Sequence, residues 1–226
     1  MMNSFEVTQN FRDDFRKTEV PKYYLGRLHC LFNFGLLIST IIGLAYLIVS
    51  PTLFELGMIP LTLVLGNFAV FIIHKFPLHQ RSGLFPYPYK VHSNWHHNFY
   101  TYDHLIYDGP KDFFILFFPA WVVLAFVTLF LPAIFFGLRG ILGLNATYLL
   151  MLMSAFYFVL YETVHFTCHL PEKHLVLKFP PLKFMWKFHR IHHHPKHMHS
   201  HNFGIVYPLC DYLFGTVYKE SSVEKI

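Results

Sequence analysis

The chain has 226 residues, of which 54% are hydrophobic and only 14% are charged. A soluble domain carries about 25% charged residues, so the composition excludes an ordinary soluble domain and favours a membrane protein. The net charge is +5. The sequence has no basic run interleaved with exposed aromatics, so this charge does not indicate nucleic-acid binding. The charge fits contact with anionic lipid head groups; a docking face for an acidic electron donor is the alternative.

Residues 1–27 are mostly polar and do not form a cleavable signal peptide, so they predict a cytosolic N-terminal segment. Four apolar windows follow, each close to the roughly 20 residues that a helix needs to cross a bilayer. They are Leu28–Ser50, Leu53–Ile73, Phe113–Phe136 and Ile141–Val164. The gaps Pro51–Thr52 and Gly137–Gly140 are very short. The windows therefore predict two helical hairpins, with both termini on one side of the membrane.

Basic residues predict which side this is. Every Lys and Arg except Arg139 lies in a segment on the side of the termini, which the positive-inside rule makes cytosolic. The three cysteines form no CxxC pair, which disfavours disulfides and cysteine-ligated metals. We therefore expect one multi-pass domain over residues 1–226, in a bacterial inner membrane or the endoplasmic reticulum.

Histidines are grouped at short spacing just after the second and fourth windows, on the predicted cytosolic side. Imidazole is a common ligand of transition metals, and several groups together can enclose more than one ion. The groups lie within residues 74–202 and contain His74 and His79; His92, His96 and His97; His165 and His169; and His189, His192 and His193.

Local geometry supports a shared site. Histidines four residues apart share one helix face: His92 with His96, and His165 with His169. His97 points about 100° away, so it serves the same site from its edge or a neighbouring ion. Pro77 makes a regular helix through the first group unlikely. Flanking prolines predict a helix over Leu182–His194 that places the last group on one face.

Glu162 lies one turn before His165, deep in an apolar window. A carboxylate there is costly without a partner, so we predict that it orients an imidazole; a charge at the membrane interface is the alternative. Only this glutamate forms an ExxH motif within the site, whereas carboxylate-rich di-iron bundles need several. Ligation is therefore expected mainly from histidine, while His194 and the histidines after it are expected to be solvated or to contact the ligands from outside.

The order HxxxxH, HxxxHH, HxxxH, HxxHH resembles the fatty acid hydroxylase / sterol desaturase superfamily of integral membrane di-iron enzymes. The segments Asn202-Phe-Gly204 and Asp211-Tyr-Leu-Phe-Gly-Thr216 resemble that family's ending, and the likeness runs from about His74 to Tyr218. One departure is the second box, which has three residues before its paired histidines where many members have two.

The resemblance implies an all-α integral membrane fold, with four transmembrane helices and a cytosolic helical cap that holds a polyhistidine di-metal site. It implies two iron ions, exchangeable for zinc in purified protein, and O2 as co-substrate. The implied ligands are His74, His79, His92, His96, His97, His165, His169, His189, His192 and His193. Asn202 and Asp211 match positions expected to be structural or to support the ligands.

The implied reaction is the O2-dependent hydroxylation or desaturation of an unactivated C–H bond in a fatty-acyl lipid. Because no cytochrome b5-like domain is fused to the chain, we expect electrons from a separate cytochrome b5-like or ferredoxin-like donor. One alternative is a sterol or carotenoid oxidase of the same superfamily. Another is a membrane protein that binds or transports metal; however, transport sites lie near the bilayer midplane, and no histidine is predicted mid-span.

Overall fold

The computed structural model describes residues 3–219, which contain helices and no strand. The first helix, α1, spans Ser4–Thr18. It begins with a capping box in which Asn3 Oδ1 accepts from Glu6 N at 2.8 Å, and Glu6 Oε2 accepts from Asn3 N at 3.0 Å. These bonds satisfy donors that a helix start otherwise leaves unpaired.

Four helices are long and apolar enough to cross a membrane, which confirms the predicted all-α fold with four candidate spans. They are α2 (Gly26–Leu47), α3 (Leu53–Leu78), α4 (Ala120–Leu142) and α5 (Leu144–Cys168). Between 11% and 44% of each apolar window is buried within the protein. Such large exposed apolar surfaces are typical of helices that face lipid. The hairpin pairing and the cytosolic side stay predictions.

The third span begins later than the sequence predicts. Its expected first turn, Phe113–Leu116, is a separate short helix, and α4 starts only at Ala120. Pro119 explains the break, since a proline restricts the residue before it, Phe118, to extended backbone and donates no N–H. Pro119 lies at the N-cap position of α4.

The third span also ends later than predicted. The expected loop over Gly137–Gly140 is helical, and Arg139 belongs to α4. The chain turns instead at Gly143, whose φ of +80° is readily adopted by glycine. A glycine just beyond a helix is a more effective stop than the glycines inside it.

The chain forms two compact units. Residues 20–66 and 108–163 form one, in which Leu37, Val123 and Ala155 are completely buried. Residues 3–19, 67–107 and 164–219 form the other. All the predicted site residues except Glu162 belong to this second unit.

The site-bearing unit contains unusually wide helical turns. α3 ends in a π-helix, His74–Leu78, that encloses Pro77, and a second π-helix spans Lys90–His96. The helix expected over Leu182–His194 spans Pro180–His192 and is named α6; α7 spans Leu209–Leu213. α6 starts earlier than predicted because prolines suit the first helical turn, where N–H groups have no intrahelical acceptor.

Candidate metal centre

The ten predicted ligands are all buried, and the structure gathers nine of them into two groups. The first group contains His74, His79, His92, His97 and His192, and the second contains His96, His165, His169 and His189. Within each group, the ligand nitrogens lie within 4.8 Å of one another. The tenth residue, His193, adjoins the second group, because its Nε2 is 2.9 Å from Nε2 of His189.

The spacing of the nitrogens matches that of ligands around one ion. In the first group, Nε2 of His79 lies 3.2 Å from that of His74, 3.1 Å from that of His92 and 3.0 Å from that of His192. A transition metal binds imidazole nitrogen at about 2.0–2.1 Å, which sets neighbouring ligands roughly 2.9–3.4 Å apart. In the second group, His169 Nε2 lies 3.4 Å from that of His165 and 3.3 Å from that of His189.

Hydrogen bonds among the imidazoles cannot account for this convergence. Each ring nitrogen of a neutral imidazole is either one donor or one acceptor, whereas His79 Nε2 has three nitrogen neighbours. A cation placed among the lone pairs satisfies all of them at once. The residues present therefore fit a pair of transition-metal ions, one for each group.

Backbone carbonyls fix the proton of four of these imidazoles on Nδ1, the ring nitrogen that does not face the other histidines. Four Nδ1 atoms donate to carbonyl oxygens, which can only accept, so each of these rings keeps a lone pair on Nε2. The four bonds join His74 to Phe203 at 2.6 Å, His169 to Leu105 at 2.8 Å, His192 to His201 at 3.0 Å, and His193 to Tyr100. This tautomer is the one that metal ligation at Nε2 requires.

Burial also keeps the imidazoles neutral. Desolvation is the largest cause of a low pKa in seven of the ten rings, and neighbouring imidazoles lower it further. The pKa is lowered for His79, His92, His97, His169, His189, His192 and His193. A neutral ring offers a metal its lone pair without first losing a proton.

The second box is divided between the two groups. The predicted shared face of His92 and His96 is confirmed, since their rings stack with centroids 5.1 Å apart. His92 nevertheless joins His97 in the first group, while His96 joins the second. The cause is the π-helix Lys90–His96, in which the hydrogen-bonded turn closes at the fifth residue instead of the fourth.

The segment around Asn202 and Asp211 supports the first group from behind. Asp211 Oδ1 accepts from Phe203 N at 2.8 Å, and its Oδ2 accepts from Gly204 N at 2.7 Å. Asn202 donates to Phe188 O at 3.0 Å. Asp211 thus fixes the peptide whose carbonyl holds His74, which gives the two polar residues a supporting role.

Glu162 has a different contact from the one the sequence predicts. Its Oε1 accepts from the backbone N–H of Phe118 at 3.0 Å, instead of orienting an imidazole. That N–H lies in the break between the short helix Phe113–Leu116 and α4, before the N-cap residue Pro119. Glu162 therefore satisfies a backbone donor in the break and not an imidazole.

Two contributors to the site were missed at the sequence level. Ser93 Oγ donates to Leu78 O at 2.6 Å and lies 3.3 Å from His79 Nδ1, which can donate to it. Its position between two histidines of the second box is the signal that could have found it.

Arg12, counted only as a basic residue of the N-terminal segment, is completely buried beside this unit's histidines. Among the later histidines, His199 contacts the site through its Nδ1, 3.1 Å from His79 O.

Comparison with known proteins agrees with the geometry. The model of the family described as fatty acid hydroxylase matches residues 59–216. This range is more than half of the chain and contains all ten predicted ligands, so the protein belongs to the fatty acid hydroxylase family. No curated protein and no solved structure matches the chain.

Proposed function

We propose that the protein is an O2-dependent di-iron oxidoreductase that hydroxylates or desaturates an unactivated C–H bond of a fatty-acyl lipid. The observation that carries the proposal is the pair of buried histidine groups in a chain of the fatty acid hydroxylase family. The groups adjoin each other, since the rings of His92 and His96 stack with centroids 5.1 Å apart.

We propose iron as the bound ion, because the reaction requires a redox-active metal. Imidazole binds several first-row metals, but zinc has no redox chemistry. Bound iron would supply the electrons that activate O2 for attack on the C–H bond. The protein's own residues present neutral Nε2 lone pairs and exclude water, because every one of the ten ligands is at most 8% exposed. Exclusion of water suppresses side reactions of an oxidising centre.

Hydroxylation puts one oxygen atom of O2 into the lipid and reduces the other to water, which takes two electrons and two protons. We propose that a separate cytochrome b5-like or ferredoxin-like protein supplies the electrons on the cytosolic side. Its docking face would include Lys183, Lys187 and Arg190, which follow one stripe of α6. The same helix carries His189 and His192, so this route to the centre is short.

The four apolar helices support a reaction in a membrane, where a long acyl chain is dissolved. A multi-pass protein of a bacterial inner membrane or the endoplasmic reticulum fits this proposal. Sterol and carotenoid substrates would enter from the same lipid phase, so the substrate has to be found by experiment.

The test is incubation of membranes containing the reduced protein with ¹⁸O2, followed by mass spectrometry of the lipids. Gain of one ¹⁸O atom supports hydroxylation, and loss of two hydrogens supports desaturation. The matched variants are His92→Ala, from the first group, and His174→Ala, an exposed histidine outside both groups. The proposal is wrong if no lipid changes, or if both variants retain the wild-type yield.

A further inference from the structure

Arg12 is a buried cation on α1, which lies outside the residues matched by the family model. Its side chain is 0% exposed. Thr8, Arg12 and Phe15 form the buried face of the helix, and Phe15 packs edge-on against Trp95 at 5.4 Å. Burial of a guanidinium is costly unless its donors are used, so its partners indicate what it does.

Two of those partners are backbone carbonyls at the ends of one short segment. Arg12 Nε donates to Phe99 O at 2.6 Å, and its Nη2 donates to His104 O at 2.7 Å. The guanidinium also lies 5.2 Å from the ring centroid of Tyr100. The planar guanidinium fork fixes both carbonyls at once, which a lysine ammonium cannot do with the same geometry.

The next carbonyl after each of these holds a predicted metal ligand. Tyr100 O accepts from His193 Nδ1, and Leu105 O accepts from His169 Nδ1 at 2.8 Å. Each ligand-holding carbonyl is thus adjacent in sequence to one that Arg12 binds. Since adjacent peptide planes are coupled through a single residue's φ and ψ, fixing one carbonyl restricts the direction of the next.

We propose that Arg12 is a positioning residue for the metal centre, which holds residues 99–105 so that their carbonyls orient His169 and His193. The proposal rests on the proposed function only for the identity of what the two imidazoles bind. It makes α1 a part of the centre's support. The proposal also distinguishes ligands that depend on Arg12 from ligands that do not. His74 and His192 donate to the carbonyls of Phe203 and His201, which Arg12 does not hold.

The first experiment is NMR of the full-length protein in detergent, without added metal and with ¹⁵N-labelled histidine. It measures the exchange of the four hydrogen-bonded Nδ1 protons with solvent. In Arg12→Gln, the protons of His169 and His193 should exchange roughly tenfold faster or more, as expected on losing charge-assisted hydrogen bonds. Those of His74 and His192 should keep their wild-type rates. Lys17→Gln, which removes an exposed charge from the same helix, should change none of them.

Equal acceleration of all four protons in Arg12→Gln would overturn the proposal, because it would show general loosening of the fold. Unchanged exchange would overturn it too. Arg12→Lys should give an intermediate effect at His169 and His193, since it keeps the charge and loses the fork.

The second experiment measures metal release to a chelator from iron-loaded protein. Arg12→Gln should release one of two ions roughly 10- to 100-fold faster, the range found when outer partners of ligands are removed. Release of both ions at wild-type rates would contradict the positioning role. A wild-type protein that binds no stoichiometric metal would refute the di-iron function, while the exchange pattern would still decide the role of Arg12.

Discussion

His92 and His97 are five residues apart in sequence, yet their Nε2 atoms lie 3.2 Å from each other. A regular α-helix brings together residues three or four apart, so the contact depends on the π-helix Lys90–His96. The box has three residues between its first histidine and its paired histidines. The wider π turn accommodates that spacing and directs the first and last histidines of the box to one group.

Loss of metal should therefore follow the two groups and not the four sequence boxes. His92→Ala and His97→Ala should each weaken binding of the same ion, while His96→Ala, from the same box, should weaken binding of the other ion together with His165→Ala. Elemental analysis after mild chelation measures this, with about one ion lost per chain in each single variant and both lost in His92→Ala/His165→Ala. If His92→Ala and His96→Ala affect one and the same ion, the grouping is wrong.

Acid should destabilise the metal-free protein. The pKa of buried histidines such as His92 and His189 is lowered in the folded state, mainly by desolvation, while the unfolded value is about 6.5. Below about pH 6.5, the unfolded chain then binds more protons than the folded chain, so the free energy of unfolding falls as the pH drops. Above about pH 6.5, the contribution of these histidines to the free energy of unfolding is fully present.

Several rings titrate together, so the decline should be steeper than the roughly 1.36 kcal/mol per pH unit of one proton. Thermal unfolding of detergent-solubilised protein, followed by circular dichroism, measures it. Metal-loaded protein should lose its ions over the same range, since protons compete for Nε2. Equal stability at about pH 7 and about pH 5 would refute the neutral, buried state of these rings.

The sequence could predict the spans and which histidines gather in the fold, because both depend on composition and short spacing. It misplaced the start of α4 because the hydropathy of Phe113–Leu116 continues that of the span, while the break at Pro119 depends on one missing N–H. The sequence could not predict which histidine joins His92 in one group. The residues at i+4 and i+5, His96 and His97, are both histidines, and only the π-helix selects the second. The carbonyl that holds His74 comes from Phe203, in a distant segment, and only the folded chain brings it there.

Gly204 should tolerate no side chain. A Cβ there would lie 2.8 Å from Asp211 Oδ2 and 2.9 Å from Tyr207 O. Gly204→Ala should therefore destabilise the protein by about 1–3 kcal/mol, as overpacking does. It should also weaken metal binding in the first group, because Phe203 O, which holds His74, belongs to the adjoining peptide.

The measurements are the melting temperature and the metal content, with Gly83→Ala as the control, since a Cβ at Gly83 meets nothing within 4 Å. A Gly204→Ala protein that melts and binds metal like the control would show that the Asp211 loop moves without cost.

Electron delivery should depend on the basic stripe of α6. Lys187 is exposed, and Lys183 forms a 2.7 Å ion pair with Glu172. The contact with Lys183 is the main cause of the lowered pKa of Glu172, and Arg190 and Lys187 lower it further. Lys187→Glu should raise the KM for an acidic reduced donor by about tenfold or more at low salt, because electrostatic steering changes association rates on that scale. The effect should fade as salt is added.

Stopped-flow reduction by the donor protein and by a small uncharged reductant separates docking from damage to the centre. Lys187→Glu should leave the rate with the small reductant unchanged, since the side chain points away from His189 on the opposite face of the helix. Lys22→Glu, an exposed charge outside α6, is the matched control. If it raises the KM for the donor as much as Lys187→Glu does, the basic residues act through the general field at the membrane surface, and α6 is not the docking face.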